Sequence, residues 1–228
     1  MHLEVNGILV AAHELKAPLA LMRQLALSLD PADPALTKQY QKRLIDVSER
    51  SLKQINDLTK VARLEDGLFE MEPVAVRGVV EEVSSELTKL FDANSRRLDL
   101  KFTNRQRLAV ANRDLLSSII YNFCTNAIKY SDAETASRLI VKDYRDKIRI
   151  AVRDFGPALP SAVYEKLKAD SLDSPVDISF RPDSSGLGLY ISSQFAKFMH
   201  ARLGAVRHRD GTSFFVDLPI SCQGTLFV

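Results

Sequence analysis

Three things are scarce in this 228-residue sequence: cysteine, charge of one sign, and long apolar runs. Two cysteines standing far apart cannot staple a disulfide scaffold, and Cys124 lies within "SSIIYNFCTNAI", where it reads as a small buried hydrophobe. Thirty-one basic residues against 29 acidic ones leave a net charge of +2, so bulk charge recruits neither nucleic acid nor an anionic membrane. No stretch approaches the roughly 18 to 20 apolar residues of a membrane span, and the first residues lack the basic start and apolar core of a signal peptide. The expectation is a soluble, intracellular chain. Repeats, low-complexity tracts and the phosphate-loop pattern GxxxxGK[ST] are absent as well. What is present is 46% hydrophobic residues, enough for a real core.

The pattern of those apolar residues divides the chain. From Val5 they recur as Ile8, Ala12, Leu15, Leu19, Met22, Ala26 and Leu29, alternating steps of three and four that mark the seam of packed helices. The seam is still in phase at Met1, which predicts an upstream segment beyond this chain. "DPADPA", Asp30 to Ala35, breaks the helix, and a second one over about Leu36 to Leu64 should fold back antiparallel with Leu44, Val47, Leu58 and Val61 on its seam. Two such helices complete themselves best as a dimeric four-helix bundle. Beyond "LEDGLFEMEP" short β-rich runs alternate with helical stretches, placing a domain boundary near Glu72 to Val74. Strands are expected over 97–102, 107–111, 138–144, 147–154 and in a pair joined at Asp210-Gly211; helices over 77–92, 113–130 and 186–200. Hairpin-like strand pairing predicts helices layered on a mixed, largely antiparallel sheet.

Four stretches carry chemistry. In "AAHELKAPLA", His13 follows a seam position and should face solvent, while Glu14 could hold its imidazole in one tautomer as the other nitrogen acts as nucleophile. Pro18 removes the helical bond to the Glu14 carbonyl, a fault costing about 3 kcal/mol in a helix interior, and so puts a kink one turn beyond the reactive residue. No second histidine stands at HExxH spacing, which excludes the zinc protease reading. Further on, Asn122, Asn126 and Lys129 form a polar stripe on a helix capped by Asn112; amide oxygens suit Mg²⁺ and a lysine suits phosphate, while a solvated helix face is the plain alternative. In "DFGPALP" the carboxylate of Asp154 could accept from an exocyclic amine such as adenine's. "SSGLGLYI" sets Gly186 and Gly188 at a helix mouth, where free backbone N–H groups favour phosphate.

Taken in order, "HELKAPL", "NFCTNAIKY", "DFGPA" and "GLGL" resemble the H, N, G1 and G2 boxes of sensor histidine kinases from two-component signalling. The resemblance implies an α+β fold: an N-terminal antiparallel helical hairpin over 1–72, the dimeric phosphotransfer domain, then an α/β sandwich of the GHKL (Bergerat) ATPase type over 73–228. It implies His13 as phosphoacceptor with Glu14 as acid/base partner. Asn122 would ligate Mg²⁺, Asn126 and Lys129 would hold the triphosphate of ATP, and Tyr130 would line the nucleotide. Asp154 would bind adenine, with Gly156, Gly186, Leu187, Gly188 and Leu189 shaping the pocket, a lid over about Leu159 to Ser185, and Phe180 as the lid phenylalanine. The implied partners are a second copy of the chain and a response regulator that accepts the phosphoryl group on aspartate.

Three departures matter. Ala17 stands where many relatives carry threonine or asparagine, which predicts weak phosphatase activity on the phosphorylated regulator. Ala158 replaces a G1 glycine and would be strained by about 1 kcal/mol if its φ were positive. Phe155 stands where asparagine is frequent and could alter the pocket. These keep open a pseudokinase or dimeric scaffold that does not phosphorylate itself, with a plain ATPase of the same superfamily ranked behind it because it leaves the His-Glu-Pro helix unexplained.

Overall fold

The computed structural model describes residues 16–103, 107–131, 135–172 and 186–222. The chain forms two compact units, one of Met1–Glu65 with Ser174–Gly188 and a second of Asp66–Asp173 with Leu189–Val228.

The first unit is a helical hairpin. Helix α1 (described over 16–27) and helix α2 (Pro34–Ala62) are joined by the turn at "DPADPA". Its two aspartates build that turn. Asp30 accepts from the Ala32 amide at 2.8 Å through its side chain and from the Thr37 hydroxyl at 2.7 Å through its carbonyl, while Asp33 caps α2 by accepting from the Leu36 amide at 3.0 Å. Pro34 occupies the first turn, where a missing N–H costs nothing.

The expected seam is only partly the buried one. Leu44, Val47, Leu58 and Val61 of α2 are half-buried as predicted, but on α1 the buried residue is Leu25, with Leu21, Met22 and Leu29 half-buried, while Leu19 and Ala26 are exposed. The apolar arc of α1 is wider than a heptad seam, so burial follows one edge of it and leaves the other in solvent. Large apolar side chains stay exposed on both helices: Leu19 (59%), Leu27 (75%), Ile45 (55%) and Leu52 (57%).

The second unit is α+β. A short strand β1 (Glu72–Val74), missed by the sequence patterning because three residues carry no period, pairs antiparallel with β3 (Ala109–Ala111). The main sheet has five strands in the order β2 (Leu98–Phe102), β4 (Ser137–Asp143), β5 (Lys147–Arg153), β7 (Gly211–Pro219), β6 (Arg202–His208). Only β2 and β4 are parallel. Helix α3 (Val76–Ala93) buries Val79, Val80, Val83, Leu87 and Phe91, and α4 (Arg113–Tyr130) buries Leu116, Ile119, Ile120 and Phe123, each an apolar face at helical spacing. These two helices pack together, and α4 lies on β4 and β5. The strands answer with alternation: Ile148, Ile150 and Val152 are buried. Each fully buried side chain of this kind contributes about 1.5–3 kcal/mol. Helix α5 (Ser161–Lys168) falls inside the stretch expected to be a lid, and α6 (Leu187–Phe198) follows.

Arg149 and Lys147 of β5 both pair with Asp217 of β7, at 2.5 and 2.8 Å, on the sheet face opposite Ile150. Burial alone would push Asp217 up, but the hydrogen bonds and charges of Arg149 and Lys147 outweigh it and hold the carboxyl below its ordinary value. Beside this cluster the Arg149 guanidinium covers the Phe215 ring at 3.7 Å, and Gly204 of β6 leaves that ring its space; a Cβ there would collide with it.

Candidate functional site

Helix α4 starts where its sequence says it should. The Asn112 side chain accepts from the Leu115 amide at 3.1 Å, and Asp114 stands in the first turn, where the helix dipole favours a negative charge. Four turns later its polar stripe emerges from the core: Asn122 and Asn126 are half-buried, Lys129 is exposed and Tyr130 is half-buried. The Asn122 amide nitrogen donates to the Ser192 hydroxyl of α6 at 3.3 Å, so the stripe lies beside α6 rather than on an open helix face. That bond uses the nitrogen and directs the amide oxygen elsewhere, the donor type a hard cation takes. Among the described residues no cluster of three His, Cys, Asp or Glu offers a rival cation site.

Strand β5 delivers Asp154 at its end, buried at 4% exposure. Its Oδ1 accepts from the Gly156 amide at 3.2 Å and from the Thr212 amide at 3.1 Å, and its own amide donates to the Thr212 carbonyl at 2.8 Å. A buried carboxylate needs such partners, and these fix its orientation. Gly156 then passes against the end of α4 so closely that a Cβ would collide with the Tyr130 carbonyl. The Ser131 hydroxyl accepts from the Phe155 amide at 3.2 Å. Two sequence-distant stretches, the end of α4 and the turn after β5, are thereby locked edge to edge.

Thr212 is a site residue that sequence reasoning missed. Its hydroxyl is buried and finds no hydrogen-bond partner in the structure, although its backbone holds Asp154 twice. Buried unsatisfied hydroxyls are rare in folded proteins and mark a place where a ligand or water supplies the missing bond. The only sequence signal was its position directly after the Asp210-Gly211 turn, which speaks of a hairpin and not of a site.

Two departures lose their force. Ala158 is not among the residues with positive φ, so no backbone strain attends the missing glycine. The Phe155 ring lies 4.6 Å from the Arg153 guanidinium and 5.2 Å from that of Arg138, side chains that face away from the buried Val152 side of the sheet, so the ring is not part of the Asp154 cradle. Gly186 has φ of +68°, a conformation that favours glycine, and it precedes Leu187, the first residue of α6, followed by Gly188 and Leu189. His13, Glu14 and Phe180 lie outside the described residues, and Pro18 is half-buried near the described start of α1. Cys124 is inert, its thiol pushed up to about 12 by burial.

Residues 111–221 match the family described as histidine kinase-, DNA gyrase B-, and HSP90-like ATPase. Over 215 residues the chain is 26% identical to the sensor protein CutS of Streptomyces coelicolor, covering 92% of this chain and 51% of CutS. Over 216 residues it is 29% identical to the sensor protein kinase PmrB of Pseudomonas aeruginosa, covering 91% of this chain and 43% of PmrB. The chain thus spans about half the length of the curated relatives it matches. Among solved structures, the Acinetobacter baumannii histidine kinase AdeS superposes with a TM-score of 0.66 at 18% identity, over 92% of this chain and 98% of that one. The histidine kinase ThkA, in a complex with the response regulator TrrA, gives 0.66 at 19%, over 92% and 60%. These two share the fold.

Proposed function

We infer that this chain, a sensor histidine kinase polypeptide with an ATPase domain of the histidine kinase, gyrase B and HSP90 kind, phosphorylates itself on His13 from ATP and passes the phosphoryl group to an aspartate of a response regulator. The observation that carries this reading is the cradle in the second unit. There a buried carboxylate, oriented by two amides and neighboured by an unpartnered threonine hydroxyl, is locked to the end of a helix bearing an amide stripe. A fixed acceptor paired with a hydroxyl suits the amine edge of adenine, and Asn122, Asn126 and Lys129 then take the triphosphate end.

In this reading residues 1–72 form the dimerisation and phosphotransfer hairpin and 73–228 the catalytic domain. Tyr130, Gly156, Gly186, Leu187, Gly188, Leu189 and Phe180 line or close the nucleotide site. The Asn122 amide oxygen fits Mg²⁺, which when bound neutralises charge on the phosphates. Glu14 orients the imidazole of His13 and takes its proton as a ring nitrogen attacks the γ-phosphorus. The bond to the β–γ bridging oxygen breaks, ADP leaves, and the new bond is a phosphoramidate. Little covalent work is asked of the protein beyond in-line positioning. Exposed Ile45 and Leu52, one heptad apart on α2, support the homodimer, since a paired hairpin would cover them. No helix among the described residues is long and apolar enough to cross a membrane, which fits a cytoplasmic segment of a larger sensor. Ala17, at an exposed position of α1 with no group to orient water, makes the kinase a weak phosphatase.

The decisive experiment is incubation with Mg²⁺ and γ-labelled ATP, comparing the wild type with His13→Ala. Label that is acid-labile, alkali-stable and absent from the variant is the expected result. Tight ATP binding with no label in the wild type would establish a nucleotide-binding scaffold in its place.

A further inference from the structure

The base-reading carboxylate does not stand alone; its peptide is clamped from behind. Arg153, the last residue of β5, is nearly buried and turns its guanidinium to the sheet face opposite Asp154. One nitrogen, Nη1, donates to the Asp154 carbonyl at 2.8 Å. The other, Nη2, donates to Oδ1 of Asp210 in the β6–β7 turn at 2.6 Å, and the plane sits 4.6 Å from the Phe155 ring. The turn itself presses on the same peptide. A Cβ at Gly211, whose φ is +137°, would collide with the Asp154 carbonyl and come within 3.0 Å of the Arg153 Nη1. Thr212, next in the chain, supplies one of the two amides that aim the Asp154 carboxylate.

We propose that Arg153 is a positioning residue for nucleobase selection: by bridging the Asp154 carbonyl to Asp210 it sets the rotation of the Asp154 peptide, and with it the direction in which the carboxylate meets the base. The proposal rests on the reading that Asp154 accepts from the adenine amine. A planar guanidinium is suited to this bridge because its two donors are held in a fixed fork, whereas an ammonium offers a single point charge that cannot span both acceptors. With the bridge removed, the peptide retains its amide bond to Thr212 but loses the hold on its carbonyl. The carboxylate then keeps its charge and loses its aim. The consequence is specific: binding energy tied to the amine falls, while contacts to the triphosphate remain.

The test compares dissociation constants of Mg²⁺-ATP and of the Mg²⁺ complex of purine riboside triphosphate, which lacks the 6-amino group, on the full chain. Wild type should prefer ATP by about ten-fold or more, the scale of a hydrogen bond to a charged group. Arg153→Gln should cut that preference to about two-fold by weakening ATP alone, and Arg153→Lys should restore only part of it. Asp210→Asn, on a side chain 67% exposed and so no threat to folding, should shift the preference in the same direction by less. If both variants weaken the two nucleotides equally and keep the wild-type preference, Arg153 is merely structural and the proposal is overturned. If wild type itself shows no preference, the reading of Asp154 fails first and takes the proposal with it.

Discussion

The hairpin and the α/β unit differ in where their apolar side chains go. Between residues 16 and 65, Leu25 is the sole buried apolar side chain, and Leu19, Leu27, Ile45 and Leu52 stand in solvent. The α/β unit encloses Phe91, Phe123, Phe195 and Ile150 completely. One region therefore owns its hydrophobic stabilisation, and the other presents surface that a second copy can cover. Stability of the first should follow its own core, and stability of the second should follow protein concentration.

The largest test of that difference is to charge the hairpin. Ile45→Glu with Leu52→Glu puts four carboxylates into the proposed dimer contact, which should weaken association at least about a hundred-fold and abolish self-phosphorylation, while ATP binding by the α/β unit is kept. Light scattering over a dilution series reads the first effect and nucleotide titration the last; an unchanged mass would remove the dimer role from this stripe. Next in size, Phe123→Ala in the α/β core should cost about 3–5 kcal/mol of that unit's stability. Chemical denaturation followed by near-ultraviolet signal and by helicity should then separate two transitions, with the hairpin's unmoved. A single shared transition would mean the two regions unfold together.

The smallest effect concerns pH. The Asp217 carboxyl is held below its ordinary value, so its stabilisation is complete above the unfolded-chain pKa and is lost as pH falls through the lower folded one. Asp217→Asn should cost about 1–2 kcal/mol at neutral pH, and its difference from wild type should vanish in acid. A difference that persists unchanged below the ordinary carboxylate range would assign the loss to packing instead.

How much of this was legible beforehand depends on the kind of signal. Helix α4 spans 113–130 with Asn112 as its cap, as the sequence predicts, because capping and an apolar period are local. Strands at 138–144 and 147–154 appear within a residue for the same reason. Strand β1 was invisible, since three residues are placed by pairing with β3 and not by any pattern of their own. The glycine substitution at Ala158 looked costly only because φ could not be read from the chain; the backbone there is not left-handed. Phe155 looked like a pocket residue until the partners of its ring, two arginines from neighbouring strands, were known.

The sequence by itself determined the two-part architecture, the helices and strands with their caps, the order of the four chemical stretches and the candidate residues within them, because each depends on spacing along the chain. Only the tertiary structure decided that Thr212 faces the site with an unpartnered hydroxyl, that Gly156 must be bare to pass Tyr130, and that Arg153 grips Asp154 from behind the sheet. Those facts join residues up to 58 positions apart, and the forces that join them, hydrogen bonding and close packing, act over a few ångströms of space and leave no period in the sequence to read.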